Sequence, residues 1–341
     1  MRPTTSDIAK EAKVSLATVD RVLNDRTGVS AKSHTRVNDA IKKLGYVKDV
    51  SAANLAKKRH YKLAFVLPDE TSQFVCELID EIRSATTRSI SDRTDITLVQ
   101  FPVNDPLGLV KELKKLRRRK IDGVAIMAPE TPHVRDAISE LKQHDIAAVA
   151  LVSGQPNSEC DHFIGINNVA AGRTAAVLMG RFLPNNKGKI IVLTNSMQLH
   201  DSVDRRLGFD EVMIDRFPHL EVLPTIEGHG VNKRIEQSLS NSINSNANVV
   251  GIYSLSSGNR TLTDALRTAG LSSELVVIVH ELTTHAKQAL QQEAIDAVIT
   301  QNTGHIVRSA LRVLRAKSDQ LDIDSSQERI RIEIVLKENL A

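Results

Sequence analysis

Residues 5–22 read TSDIAKEAKVSLATVDRV and set two short helical patterns three or four residues apart. Ile8, Ala9 and Ala12 give the first an apolar side at i, i+1, i+4 spacing, and Val19, Val22 and Leu23 give one to the second. Ser15 stands where the second helix should start, and Thr5 or Ser6 where the first should. A hydroxyl at that position accepts a backbone N–H that has no partner within the helix. Two short helices, a tight turn and basic surroundings describe a helix-turn-helix, whose second helix enters the major groove of DNA. A third helix follows, capped by Ser30, striped by Val37, Ala40, Ile41 and Leu44, and closed by Gly45 at its C′ position. The three helices can share one small core around Ile8, Val19, Val22, Val37, Ile41 and Leu44.

Charge is distributed in the same sense. The 341 residues carry a formal net charge of +4, but residues 1–60 hold 13 Lys/Arg against 6 Asp/Glu, leaving 32 against 35 in the rest. A basic excess confined to the small N-terminal unit suits a surface that meets phosphates. The length allows two or three domains and a large core. No apolar run approaches the roughly 20 residues of a membrane span, and Met1–Lys10 is polar, so a cytoplasmic location is expected. Cys76 and Cys160 are too few and too isolated for a disulfide framework or a metal site.

From Tyr61 the rhythm changes to short apolar runs alternating with amphipathic helical stretches. The strands read KLAFVLP (62–68), ITLVQF (96–101), GVAIMAP (123–129), AAVALVS (147–153), HFIGI (162–166), KIIVLTN (189–195), VLPTI (222–226), VVGIYSL (249–255), LVVIVHE (275–281), DAVITQ (296–301) and RIRIEIVL (329–336). Buried strands separated by helices mean parallel sheets, and this number suits two Rossmann-like sheets. Ligands on such sheets bind beyond the carboxyl ends of the strands.

In the second helix Leu16, Ala17 and Arg21 would face outward toward base edges. Arginine reaches guanine O6 and N7 bidentately, and Leu or Ala can touch a thymine methyl. The plainer reading has Arg21 paired with Asp25 or Glu11; Asp20, ill placed near phosphates, would orient a neighbouring arginine. Ser51–Leu55 reads either as a short helix whose Leu55 wedges into the minor groove, or as a linker with an incidental leucine. KKLRRRK (114–120) reads as a solvated helix face over Leu109, Val110, Leu113 and Leu116. HELTTH (280–285) is one residue too long for a zinc-protease helix, because histidines at i, i+5 do not share a face. His133, His162 and His229 read as scattered surface or loop residues. G-x-S-x-G, P-loop and G-x-G-x-x-G motifs are absent from the sequence, so neither an enzyme nor a cofactor is expected.

TSDIAKEAKVSLATVDRVLN, VSAKSHTRVNDAIKKLGY and SAANLAKK together resemble the DNA-binding headpiece and hinge of the LacI/GalR family of bacterial transcription regulators. AFVLPDETSQF, KIDGVAIMAP, IGINNVAAGRTAA, DRRLGF and VIVHELT are similar to that family's effector domain, itself related to periplasmic sugar-binding proteins. The resemblance covers the whole chain. It implies an N-terminal all-α helix-turn-helix headpiece (1–47), a hinge helix or linker (48–60), and an α/β periplasmic-binding-protein-like effector and dimerisation domain (61–341). That domain would hold two Rossmann-like subdomains, about 61–166 with 302–328 and about 167–301 with 329–341.

The family's base-reading pair falls on Leu16 and Ala17, its arginine on Arg21, and its minor-groove leucine on Leu55 beside Ala52. Thr5, Ser15, Thr18 and Asn24 complete the set expected against DNA. In the cleft the family's polar and aromatic positions fall on Ser72 and Phe74, its R-x-x-G-F arginine on Arg205, its acidic strand end on Glu281 and its glutamine on Gln301. Ser153 and Asn259 join them. Phe74 can stack on a sugar ring, and Arg205 with Glu281 can bind vicinal hydroxyls or merely pair with each other across the cleft. A carboxylate ligand for Arg205 stays open.

The chain departs from the family's pattern at several positions. Lys13 stands where glycine is usual in the turn, Asp20 where serine is common, Val75 and Gly154 where the cleft is usually aromatic and polar, and SLSSGNR lacks an Asn-Asp pair. The expectation is a dimeric or tetrameric repressor on a near-palindromic double-stranded operator, controlled by a sugar, polyol or derivative, with no metal and no membrane partner. The alternative is a solute-binding protein for sugar uptake or sensing without DNA regulation.

Overall fold

The computed structural model describes residues 3–23, 26–46, 59–69, 72–89, 92–103, 105–185, 187–256, 258–271 and 274–340. Asn24, Ala52 and Leu55 lie outside them. The chain divides into two compact units, Met1–Arg59 and His60–Ala341.

In the first unit, helices α1 (Thr5–Ala12), α2 (Leu16–Leu23) and α3 (Ala31–Leu44) close over Ile8, Ala9, Ala12, Val19, Val22, Val37 and Ala40. Ile41 and Leu44, expected inside, are only half-buried. The cap of α1 is Thr4, not Thr5 or Ser6. Its hydroxyl accepts the Asp7 N–H, while the Asp7 carboxylate accepts the Thr4 N–H at 2.9 Å. That reciprocal pair satisfies two orphan donors at once, which neither later hydroxyl can do. Ser15 accepts the Thr18 N–H at 3.2 Å, and Ser30 accepts the Ser33 N–H at 3.2 Å. Lys13 takes the left-handed conformation in the turn (φ 51°, ψ 52°). A β-carbon is strained there, but Arg36 on α3 donates to the Lys13 carbonyl at 3.1 Å and holds the turn.

The second unit contains two parallel sheets. The first, ordered β2-β1-β3-β4-β5, comprises β1 (Tyr61–Asp69), β2 (Thr94–Pro102), β3 (Gly123–Ile126), β4 (Ala147–Leu151) and β5 (His162–Ile164). Between these strands run α4 (Gln73–Ser89), α5 (Pro106–Arg118) and α6 (Pro132–Lys142). Alternation divides β1 between two cores. Leu63, Phe65 and Leu67 pack toward α4, and Ala64 and Val66 toward α5 and α6.

The second sheet is ordered β11-β10-β9-β8-β6-β7. Its strands are β6 (Gly188–Thr194), β7 (Leu220–Glu227), β8 (Val249–Ser254), β9 (Val276–His280), β10 (Ala297–Thr300) and β11 (Glu333–Val335). Helices α7 (Asn168–Phe182) and α8 (His200–Arg216) lie on one face, and α9 (Asn232–Ser245), α10 (Asn259–Thr268) and α11 (Thr284–Gln291) on the other. The final helix α12 (Thr303–Ser318) returns to pack on the first sheet. Among the described strands only β11 is antiparallel to its neighbour. It is shorter than RIRIEIVL suggests, because the chain before it is fixed by side chains instead. Buried Glu328 accepts from Arg312 at 2.9 and 2.8 Å and from Ser309. Among the described residues no helix is long and apolar enough to cross a membrane.

One helix contact sets where Arg205 sits. A β-carbon at Gly172 on α7 would lie 2.0 Å from the Arg205 carbonyl oxygen, and one at Gly208 on α8 would lie 2.0 Å from the Val169 carbonyl oxygen. The two helices therefore touch backbone to backbone. Gly208→Ala is expected to lower the stability of the second unit by roughly 2 kcal/mol or more, read as an earlier midpoint in urea unfolding. Lys13→Gly is expected to stabilise the first unit by about 0.5–1 kcal/mol, read by thermal melting.

Candidate functional site: a reading helix and an interlobe cavity

On α2, burial of Val19 and Val22 turns Ser15, Leu16, Ala17, Asp20 and Arg21 outward, all exposed, with Thr18 half-buried. Leu16 is 53% exposed and is not part of the headpiece core. Asp20 pairs with Arg26 at 3.2 Å and Glu11 with Lys43 at 2.6 Å. The carboxylate on the reading face is thereby partly neutralised, as its awkward position required. Thr5 is the first residue of α1 and is half-buried. KKLRRRK lies on α5 and the two residues after it, over buried Leu109, Leu113 and Leu116, with Lys115 on Glu112 and Arg117 on Glu140.

In the second unit a cavity of about 580 Å³ opens between the two sheets at the carboxyl ends of their strands. Pro68, Phe74, Met127 and Val152 line it from the first sheet's side, and Asn195, Asp201, Arg205, Asn259 and Glu281 from the second's. The same backbone device occurs at both ends. Val152 follows β4 with φ 61° and donates its N–H to Ile164; Glu281 follows β9 with φ 69° and donates to Ile299. Positive φ at a β-branched valine and a glutamate is a strained conformation of the kind that gathers at functional sites.

Arg205 is 1% exposed. Its Nε donates to Asn168 Oδ1 at 2.8 Å, Nη1 to the Leu255 carbonyl at 2.6 Å, and Nη2 to Glu281 Oε1 at 3.3 Å. Asp201, one turn earlier on α8, holds Oδ2 at 4.0 Å from Nη1. Gln301 donates to Glu281 Oε1 at 3.0 Å and accepts the Ile166 N–H at 3.4 Å. Burial pushes the Glu281 carboxyl above its ordinary range, against the opposing pull of the Arg205 guanidinium. Next to it, His280 is wholly buried with Nε2 2.8 Å from the Tyr253 hydroxyl. Burial first, and the Arg205 charge second, hold His280 well below its ordinary value.

Of the seven residues expected in the cleft, Ser72, Phe74, Arg205, Asn259 and Glu281 line the cavity. Asn259 is tied between Ser254 and the His280 carbonyl, at 2.7 and 3.0 Å. Ser153 and Gln301 do not line it: Ser153 accepts the His200 N–H at 3.1 Å, and Gln301 lies behind Glu281. Nor do Arg205 and Glu281 pair across the cleft. Both belong to the second sheet's side, so their ion pair is internal to one lobe. His162 is half-buried in β5 rather than loose on a surface, and His229 is exposed in a loop on the rim of the cavity. Asn168, Asp201 and His280 were missed. Asp201 had a signal, because i, i+4 spacing from Arg205 puts it on the same helix face.

Residues 63–320 match the family described as periplasmic binding protein domain, and residues 4–49 match bacterial regulatory proteins, lacI family. Over 216 residues the chain is 29% identical to the HTH-type transcriptional regulator RegA of Clostridium saccharobutylicum, which covers 62% of this chain and 61% of that protein. Over 181 residues it is 29% identical to the HTH-type transcriptional regulator DegA of Bacillus subtilis, covering 52% and 51%. The matched regions thus span about half of most of these curated relatives. A solute binding protein from Burkholderia graminis, solved in complex with D-arabinose, shares the fold at TM-score 0.74 and 20% identity, over 82% of this chain and 96% of that one.

A buried histidine held neutral makes stability depend on pH. His280 in the unfolded chain takes a proton near 6.5, while in the folded chain it takes one only at much lower pH. Its contribution is therefore complete above pH 6.5 and is lost as pH falls below it. The loss is about 1.4 kcal/mol per pH unit until the folded-state value is reached. Urea unfolding at pH 7.5 and 5.5 should show this loss, and His280→Gln should reduce it by that amount.

Proposed function

Because the chain belongs to the periplasmic binding protein domain family and carries a lacI-family helix-turn-helix at its N-terminus, we propose that it is a DNA-binding transcriptional regulator, most simply a repressor, controlled by a small sugar-like effector. The observation that carries the reading is the outward row Ser15, Leu16, Ala17, Arg21 on α2. It includes an apolar side chain 53% exposed where a folded domain has nothing to gain from it. A major groove supplies what that row lacks: guanine acceptors for Arg21, thymine methyls for Leu16 and Ala17, phosphates for the basic flanks. The headpiece argues against an uptake protein without DNA regulation. The two matched families are named for regulation and binding, not catalysis.

One reading helix per half-site implies a homodimer on a near-palindromic operator, working in the cytoplasm where its DNA is. The effector enters between the two lobes and favours one arrangement of them. To act as a switch it must bind the two states with different affinity, and a complete switch needs about 5.5 kcal/mol of difference. Arg205 and Glu281 are buried to hold the lobe and to present polar atoms to the ligand. Phe74 offers the face on which a ring's C–H edge can lie.

Mobility shift of the full chain on DNA from upstream of its own gene tests the reading, at low and moderate salt and with or without sugars. Salt-sensitive, sequence-dependent binding is expected, and no binding at low salt with or without sugars overturns it. Arg21→Ala is expected to weaken operator binding by about 1–3 kcal/mol while nonspecific binding falls less. Arg205→Lys, which keeps a buried cation beside Asp201 and Glu281 but loses the guanidinium's forked donors, should leave DNA binding and weaken the response to effector.

A further inference from the structure

The chemistry of the cavity floor narrows the class of effector, an inference that rests on the effector-binding role of this cavity. Three charged groups meet there: Arg205, Asp201 and Glu281, which are 1%, 6% and 7% exposed. Two carboxylates face one guanidinium, and that guanidinium is committed. Its donors go to Asn168, Leu255 and Glu281, with Asp201 beside it. Arginine has five N–H groups, so at most two remain for anything else.

The carboxylates are not fully used. Glu281 Oε1 receives both Arg205 and Gln301, but among the described residues Glu281 Oε2 has no partner, and neither has Asp201 Oδ1. Both oxygens are buried, and both residues line the cavity. A buried acceptor left open costs about 1–3 kcal/mol, more when charged. It is answered best by an O–H donor, which makes a short charge-assisted bond. At the rim, exposed Asp69 and Arg260 carry opposite charges under solvent screening, with His229 and His285 near them. The opposite wall is largely apolar, with Phe74, Val103 and Met127 beside the polar Ser72 and Gln73.

We propose that the cavity takes an uncharged polyhydroxylated molecule, a neutral sugar or sugar alcohol, and rejects the matching sugar acids and phosphates. Asp201 Oδ1 and Glu281 Oε2 each accept a hydroxyl proton from it. The remaining Arg205 N–H groups donate to a hydroxyl oxygen, and the ring or chain lays its C–H face on Phe74 and Met127. An anion in the same place loses its water shell beside two carboxylates and, among the described residues, finds no uncommitted buried cation. Burial already pushes Glu281 upward, so a bound anion would have to enter with a proton, and its affinity would fall as pH rises.

Isothermal titration of the full chain with matched pairs tests this: D-glucose against D-gluconate, D-galactose against D-galacturonate, D-arabinose against D-arabinonate, and sorbitol against sorbitol 6-phosphate. At least one neutral member is expected to bind, with its anionic partner weaker by roughly tenfold or more. Asp201→Asn, which keeps the shape and removes one charge, should narrow that ratio by admitting the acid. Glu281→Gln, with the same logic, guards against a single variant that fails to fold. An acid or phosphate that binds wild type more tightly than its neutral partner overturns the proposal. So does a ratio that neither folded variant changes, or failure of every neutral probe at millimolar concentration. DNA mobility shift on the same preparations separates the two readings. Intact DNA binding without neutral-sugar binding removes this inference alone, and sugar binding without DNA binding removes the regulator.

Discussion

A guanidinium sealed from water must have its charge answered where it sits, and Arg205 organises the second unit by that requirement. Its answers come from four places: the start of α7 at Asn168, the chain after β8 at Leu255, the chain after β9 at Glu281, and α8 itself at Asp201. Gln301, after β10, joins through Glu281 and reaches back to Ile166 on the crossover from the first sheet. Remove the cation and two buried carboxylates remain without their counterion. The ligand floor and the fold of this lobe are thus one network, and its geometry is set by packing that leaves no room for a β-carbon at Gly172 or Gly208.

Much of this was legible in the residues. The short continuous apolar runs of KLAFVLP and its counterparts predict strands buried on both faces, and the sheets contain them. The expected N-cap at Ser15 and the stop at Gly45 are local matters of backbone donors and steric strain, and both are found; Lys13, standing where the family usually has glycine, takes the left-handed conformation. The cap of α1 was misread although its signal was present. Of the three consecutive hydroxyl residues Thr4, Thr5 and Ser6, only Thr4 has an acid three residues on. In the cavity, R-x-x-G-F locates Arg205, but nothing in one dimension says which acceptors will fold around it. Ser153 was expected to face a ligand as the end of a strand, and Gln301 as the position of the family's glutamine. They are instead consumed by His200 and by Glu281, partners many residues away in the chain.

The two sheets repeat one strand order and also one irregularity. Val152 and Glu281 each take positive φ directly after the fourth strand in the order of their sheet. In one lobe the turn delivers an apolar side chain to the cavity and in the other a carboxylate. A common backbone solution with different side chains gives the cavity one greasy wall and one hydrogen-bonding wall. That contrast is what an amphipathic sugar ring presents on its own two sides.

The lobes are also fastened to each other. Ser153, from the first, accepts the backbone N–H of His200 at the start of α8, and Gln73 accepts that of His285 at 3.2 Å. Both donors lie in the first turn of a helix, where an N–H has no partner of its own. Water can take the place of either acceptor when the lobes part, so each bond contributes only about 1 kcal/mol net. A fastening of that strength behaves as a spring catch rather than a weld. It holds the jaws in register when nothing pulls on them, and it yields to any guest whose grip differs by a few such bonds.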